Sequence, residues 1–209
     1  MKMNKLYRLL DNYLIHPVVS FIWRRRNHNR DFTLISNNCW GGGVYQDLQI
    51  PYMSPTVGLF FYPDDYIEFL SQLEYYCKSA TLTFTRSSKY KKHMTDYPVG
   101  LLDDKVEIHF LHYISDEEAR EKWCRRIDRM NWNNLYVKMD DRDGCMNGHI
   151  AKFDALPFKN KICFTAQELS FQSVVYLPKC KGRSYVGELY GNKYLWSFDF
   201  DLVAWLNDK

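Results

Sequence analysis

The sequence predicts a single α/β domain built on a mostly parallel, doubly wound (Rossmann-like) sheet flanked by helices, preceded by a basic N-terminal arm. Two observations carry that expectation. Apolar runs near 32–36, 56–61, 106–113, 135–139 and 161–165 alternate with helical segments, the order expected of parallel strands joined by crossovers. Several runs also stop at polar turn residues, where open α/β sheets present their ligands, at the carboxyl ends of the strands. At 209 residues the chain is long enough to bury one such core, and 46 % apolar with 25 % charged residues is ordinary globular composition.

Residues 1–30 read as the arm and 31–209 as the domain. The arm carries Lys2, Lys5, Arg8, Arg24, Arg25, Arg26 and Arg30 against Asp11, a net +6, which leaves −3 for the remainder of a chain of net charge +3. Leu6, Leu9, Leu10, Tyr13 and Leu14 recur at helical spacing, and Val18, Val19, Phe21, Ile22 and Trp23 lead into the arginine triplet. The segment is too short and too charged to span a bilayer. It suits the surface of an anionic membrane, or equally a helix packed on the domain with its arginines solvated. The acidic body, without a basic groove, argues against nucleic acid as a partner.

The first strand begins with Phe32-Thr33-Leu34-Ile35 and stops at Ser36-Asn37-Asn38; Cys39, Trp40 and a loop of three glycines, Gly41, Gly42 and Gly43, follow, and VYQDL opens a helix. After the run at 56–61, Asp64 is the expected N-cap of a helix with Ile67, Leu70, Leu73 and Tyr76 on one face. A short strand at 80–84, a polar loop at 86–96 and a turn at 97–100 precede the strand at 106–113. Ser115 and Glu118 make a capping box for a helix reaching about Met130. The strand at 135–139 ends in Asp140-Asp141-Arg142-Asp143-Gly144. A short helix at 147–155, strands at 161–165 and 174–177, and an aromatic tail ending in the helix DLVAWLN complete the chain.

Three polar clusters fall at strand ends: Asn37-Asn38-Cys39, the histidines at 109 and 112, and the aspartates at 140, 141 and 143. In a parallel sheet these ends share one edge, bringing together thiol, imidazole and carboxylate, the parts of a nucleophile, base and orienter. Cys39 is the expected thiolate, favoured by the adjacent helix N-terminus. His112 is the expected base, with Asp140, Asp141 or Asp143 behind it. His109 points to the other face and reads as a satisfied core histidine. The glycine-loop N–H groups and the Asn38 amide would stabilise an oxyanion. Asn37, Trp40, Gly41, Gly42 and Gly43 complete the binding loop, and Arg125, Arg126 and Lys138 are the phosphate partners. Against this, a lone cysteine after a strand is usually a buried small hydrophobe, and the glycines can serve only close packing.

Asp141-Arg142-Asp143 also has the spacing with which many glycosyltransferases hold a divalent metal and a nucleotide sugar. The six cysteines are scattered without any CxxC and no signal peptide precedes them, so reduced thiols in a cytoplasmic protein, without a structural metal, are expected.

The blocks DFTLISNNCWGGGVYQDL, TVGLFFYPDDYIEFL, YPVGLLDDKVEIHFLHYISDEEAREKWCRRIDRMN, VKMDDRDG and FDALPFKNKICFT resemble a bacterial family commonly labelled exopolysaccharide or capsule biosynthesis proteins, sometimes acetyltransferases. The resemblance spans roughly residues 30–206. Asn38-Cys39 is also similar to the Asn-Cys motif of a separate group of capsule acyltransferase-like proteins. The resemblance implies acyl transfer from acetyl-CoA to a sugar or lipid-linked oligosaccharide. The alternatives are a glycosyltransferase using Asp141 and Asp143 with a metal and a nucleotide sugar, and a non-enzymatic partner in polysaccharide assembly. A place at the inner face of the cytoplasmic membrane, reached through the arm, is the matching expectation for location.

Overall fold

The computed structural model describes residues 11–208, and a four-stranded parallel sheet organises them. Its strands are β1 (Thr33–Ser36), β5 (Leu135–Asp140), β6 (Asn160–Thr165) and β7 (Val174–Tyr176), paired in the order β1-β5-β6-β7. The chain between β1 and β5 forms α2 (Trp40–Leu48), α3 (Pro63–Ser71), α4 (Leu73–Lys78), an antiparallel sheet and α5 (Asp116–Ile127). That second sheet contains β2 (Leu82–Thr85), β3 (Val99–Leu102) and β4 (Val106–His109). Helix α1 (His16–Arg26) precedes β1, α6 (Asn147–Asp154) joins β5 to β6, and α7 (Leu202–Asn207) closes the chain.

Strands β1, β5 and β6 are largely buried on both faces, which is why they read as continuous apolar runs rather than alternating ones, while the edge strand β7 is half-buried. Ile35, Val137, Met139 and Cys163 face one core, shared with α3 to α6 and the antiparallel sheet. Leu34, Tyr136, Ile162 and Phe164 face the other, shared with Trp23 of α1, with α2, the tail and α7. The pleat thus divides one sheet between two cores.

Three expectations are corrected. The run at 56–61 is no strand of the sheet: Gly58 at φ +80° turns the chain, and only an isolated bridge joins Phe60 to His109. The strand at 106–113 ends at His109 and belongs to the antiparallel sheet, paired with a β3 that Pro98 and Gly100 disguise as a turn. Gly100 is needed there because a Cβ would lie 2.6 Å from the Phe110 ring. The helix from Asp64 starts one residue earlier, with Pro63 in its first turn and Tyr62 as N-cap, and breaks at Gln72. Where the arm is described, Trp23 packs it on the domain in the second core, as one of its two readings expects; Leu6, Leu9, Leu10 and the basic residues before Asp11 lie outside the described residues.

Candidate active site

Ser36 ends β1, and two asparagines carry the chain into α2. Both are drawn into one buried network with β5. Lys138 Nζ donates to Asn37 Oδ1 (3.2 Å), Asn38 Oδ1 (3.1 Å) and Asp140 Oδ2 (2.5 Å). The Asn37 and Asn38 amides donate to Asp140 Oδ1 and Oδ2 at 3.2 and 2.7 Å. All three ammonium protons therefore find acceptors, as a buried cation requires. Burial alone would raise the Asp140 pKa, but Lys138 and Asn38 outweigh it and hold the carboxyl below its usual range. Lys138 and Asn38 are corrected accordingly: the lysine is no phosphate partner, and the Asn38 amide is committed to Asp140 rather than to an oxyanion.

Cys39 follows this turn as the N-cap of α2, and the three glycines form the helix's first turn rather than a loop. A Cβ on Gly41 would lie 2.8 Å from Ser36 Cβ, one on Gly42 3.1 Å from Val57, and one on Gly43 2.8 Å from the Tyr190 ring. The glycines let α2 pack closely against β1, the 57 loop and the tail. Asn38 Oδ1 accepts from Trp40 N (3.3 Å) and Cys39 O accepts from Gly43 N (3.1 Å), while the Gly41 and Gly42 N–H groups donate to no acceptor among the described residues. Such orphan donors are usual for a helix N-terminus. Trp40 is a core residue, edge-on to Trp196 at a centroid distance of 5.0 Å, and not part of a binding loop.

A cavity of about 250 Å³ opens at this turn. Cys39, Gly42 and Gln46 form one wall, with Tyr52, Val57, Gly58 and Tyr190 around them; His112, Tyr113, Lys122 and Arg126 form the other. Cys39 and His112 thus share a cavity although β4 is not in the parallel sheet, because the bridge from Phe60 to His109 brings the end of β4 beside the Gly58 turn. His112 N donates to Gly58 O at 3.3 Å, and the His112 ring makes no hydrogen bond among the described residues.

Arg126 dominates the electrostatics of the cavity. It is 7 % exposed, and its Nη1 donates to Val57 O (2.8 Å) and Tyr113 Oη (2.5 Å), both neutral. No carboxylate pairs with it, whereas buried charges are ordinarily paired. Lys122, one turn earlier on α5, lies 5.5 Å from the Tyr113 ring centroid and pairs with Glu118 at 2.5 Å. Arg125 points away to an exposed pair with Glu121 (2.7 Å), so it is not at the cavity.

The thiol differs from expectation. Burial pushes the Cys39 pKa up to about 11, and the nearby Glu188 carboxylate adds to this, outweighing Arg142, Lys138 and the local backbone. Cys39 is therefore a protonated thiol at neutral pH and needs a base. The aspartates do not supply an orienter for His112. Asp140 is enclosed in the lysine network, and Asp141 Oδ1 and Oδ2 each accept a backbone N–H, from Val186 and Ala166, both at 2.7 Å. Asp143 is exposed at a left-handed φ of +56° and makes no hydrogen bond to His112. Asp141 and Asp143 are thus not aligned as a pair, and among the described residues no group of three His, Cys, Asp or Glu side chains is arranged to hold a metal ion. His109 is fully buried, 3.2 Å from Tyr97 Oη and stacked on Phe60.

Tyr52, Tyr113, Lys122, Tyr190 and Glu188 were not legible as site residues, since they come from loops, α5 and the tail. The one available signal was the i, i+4 pair Lys122 and Arg126 on a single helix face.

A family model described as a domain of unknown function, DUF1919, matches residues 11–207. A protein of Haemophilus influenzae, named only as uncharacterized, is 39 % identical over 191 residues, 88 % of each chain.

Proposed function

The chain belongs to the DUF1919 family, and from that premise we propose that it is an acyltransferase of surface-polysaccharide biosynthesis. It moves an acetyl group from acetyl-CoA to a hydroxyl of a sugar or lipid-linked oligosaccharide. One observation carries the chemistry: Cys39 and His112 line the same cavity as the buried, carboxylate-free Arg126. The pathway rests on the sequence resemblance described above.

A guanidinium is charged at any physiological pH and matches phosphate oxygens in a planar fork. Arg126 Nε and Nη2 have no acceptor among the described residues, which suits a phosphate of the donor as the missing counter-charge. The Tyr52 and Tyr113 rings lie 5.1 and 5.9 Å from its guanidinium carbon and give flat walls for an adenine or a sugar ring.

In the reaction, Cys39 Sγ adds to the thioester carbonyl as His112 takes the thiol proton. The tetrahedral centre collapses, the C–S bond to coenzyme A breaks, and His112 returns the proton to the departing thiolate. An acceptor hydroxyl then attacks the acyl-Cys39 carbonyl with His112 again as base, and Cys39 leaves as a thiol once reprotonated. The Gly42 N–H group, which lines the cavity, is the available oxyanion donor.

A thermal-shift panel of acetyl-CoA, coenzyme A and UDP-sugars, each with and without divalent metal, tests the reading. Acetyl-CoA should raise the melting temperature of the wild type and not of Arg126→Gln. A shift only with UDP-sugar and metal would replace this reading by sugar transfer, and no shift with any ligand would favour a non-enzymatic assembly role.

A further inference from the structure

Helix α1 turns its polar side inward. Ser20 Oγ donates to Asp47 Oδ1 at 3.0 Å and His16 Nε2 lies 2.7 Å from the same oxygen; Trp23 is buried against Trp196 at a centroid distance of 5.3 Å. On the opposite side, Leu14, Val18, Phe21 and Ile22 are 60 %, 57 %, 54 % and 44 % exposed. Their spacing of four, three and one residues places them in one stripe. A helix on a globular domain normally buries such a stripe. The turn Asp11–Ile15 packs against the turn Lys193–Leu195, so exposed Tyr13, Tyr194 and Phe198 extend the patch.

The rim is basic. Arg25 makes no ion pair among the described residues and lies 5.4 Å over the Phe21 ring. Arg26 pairs with Asp201 at 2.6 Å, Arg24 donates to Asp47 O at 3.0 Å, and Lys179 pairs with Asp199 at 2.7 Å beside Tyr194 and Phe198. Lys2, Lys5 and Arg8 precede them in the sequence, for a net +6 over residues 1–30.

We propose that this face docks on the surface of an anionic phospholipid bilayer. The stripe enters the boundary between headgroups and acyl chains, and Arg25 faces lipid phosphates. Charge selects this occupant over a second copy of the chain, which would bring the same positive rim against itself. The contact is peripheral, since no described helix is long and apolar enough to cross a membrane.

The docking connects to the cavity through α2, which meets α1 at Asp47 and the cavity at Cys39. From Trp40 to Asp47 is seven residues, roughly 10 Å of helix. With the width of α1 itself, about 10 Å, between Asp47 and the stripe, the cavity stays within reach of an acceptor tethered to lipid, a corollary resting on the acyl-transfer reading; the docking itself does not.

Co-sedimentation of the full chain with sucrose-loaded vesicles tests it without any substrate, so its failure leaves the Cys39 chemistry untouched. The protein should pellet with equimolar phosphatidylglycerol and phosphatidylcholine, far less with phosphatidylcholine alone, and less as salt rises. The double variant Val18→Ser/Phe21→Ser, and separately Arg25→Glu, should each lower the partition coefficient about tenfold. Both should keep the wild-type melting temperature, because the replaced side chains are exposed. Absence of pelleting, or pelleting unchanged in both variants, overturns the proposal. So does a wild-type dimer in light scattering that Val18→Ser/Phe21→Ser converts to monomer, since the face would then be covered by a second copy.

Discussion

Lys138 Nζ lies 2.5 Å from Asp140 Oδ2, and both side chains are wholly buried. They are two residues apart on β5 and so project from the same face of the strand. Between them they bind both asparagines of the β1–α2 turn, so the pair fixes the backbone that presents Cys39. Removing one partner leaves a buried charge unpaired. Asp140→Asn and Lys138→Met should each lower unfolding stability by about 3–5 kcal/mol, with the double variant losing less than the sum. Urea denaturation of the three proteins measures this.

The glycines of α2 are packing devices, with opposite expectations at different sites. Gly41→Ala should cost about 1–3 kcal/mol, because the new methyl group would lie 2.8 Å from Ser36 Cβ. Gly148→Ala, in α6 with no atom within 4 Å of the added carbon, should stabilise by about 0.5–1 kcal/mol. Thermal melts at one pH decide both.

Cys39 should be a slow nucleophile toward small alkylating agents at neutral pH. With its pKa pushed up to about 11, the thiolate fraction, and with it the iodoacetamide rate, should rise about tenfold per pH unit until that value is approached. Glu188→Gln should speed the reaction by removing the second-largest cause of the shift. Cys124 is exposed, so the Cys39 peptide is followed by mass spectrometry.

The α/β class and all four parallel strands were legible: β1, β5 and β6 because largely buried strands leave an apolar run, and half-buried β7 as the short β-branched run at 174–177. The antiparallel sheet was not, since Gly100 in β3 reflects the Phe110 ring rather than a turn. Cys39 and His112 were paired on a premise that failed, a shared parallel edge, and yet line one cavity beside the Gly58 turn. The roles of Asn38, Lys138 and Asp140 were misread because their chemistry is spent on one another, which no spacing reveals. The glycine triplet looked like a ligand loop because close packing and ligand approach require the same residue.

Stability should depend on His109 at mildly acid pH. Burial lowers its pKa from 6.5 to about 4, against the opposing pull of Glu107, whose Oε1 lies 2.8 Å from Nε2. Between those values the unfolded chain binds a proton that the folded protein does not, so its contribution is complete above pH 6.5 and is lost progressively as pH falls toward 4. Carboxylates titrate in the same range, so the wild type is compared with His109→Gln. The variant should show the shallower fall in melting temperature across that window.

Acyl transfer at Cys39 is tested most directly by incubating the full chain with acetyl-CoA without acceptor, quenching in acid, and measuring the mass of the Cys39 peptide. The wild type should carry one acetyl group on that peptide and release coenzyme A in equal amount. Cys39→Ala should carry none, and His112→Gln should acquire it about 10²–10⁴-fold more slowly. Coenzyme A release by Cys39→Ala at the wild-type rate, or a wild-type peptide left unacetylated, would contradict the assignment.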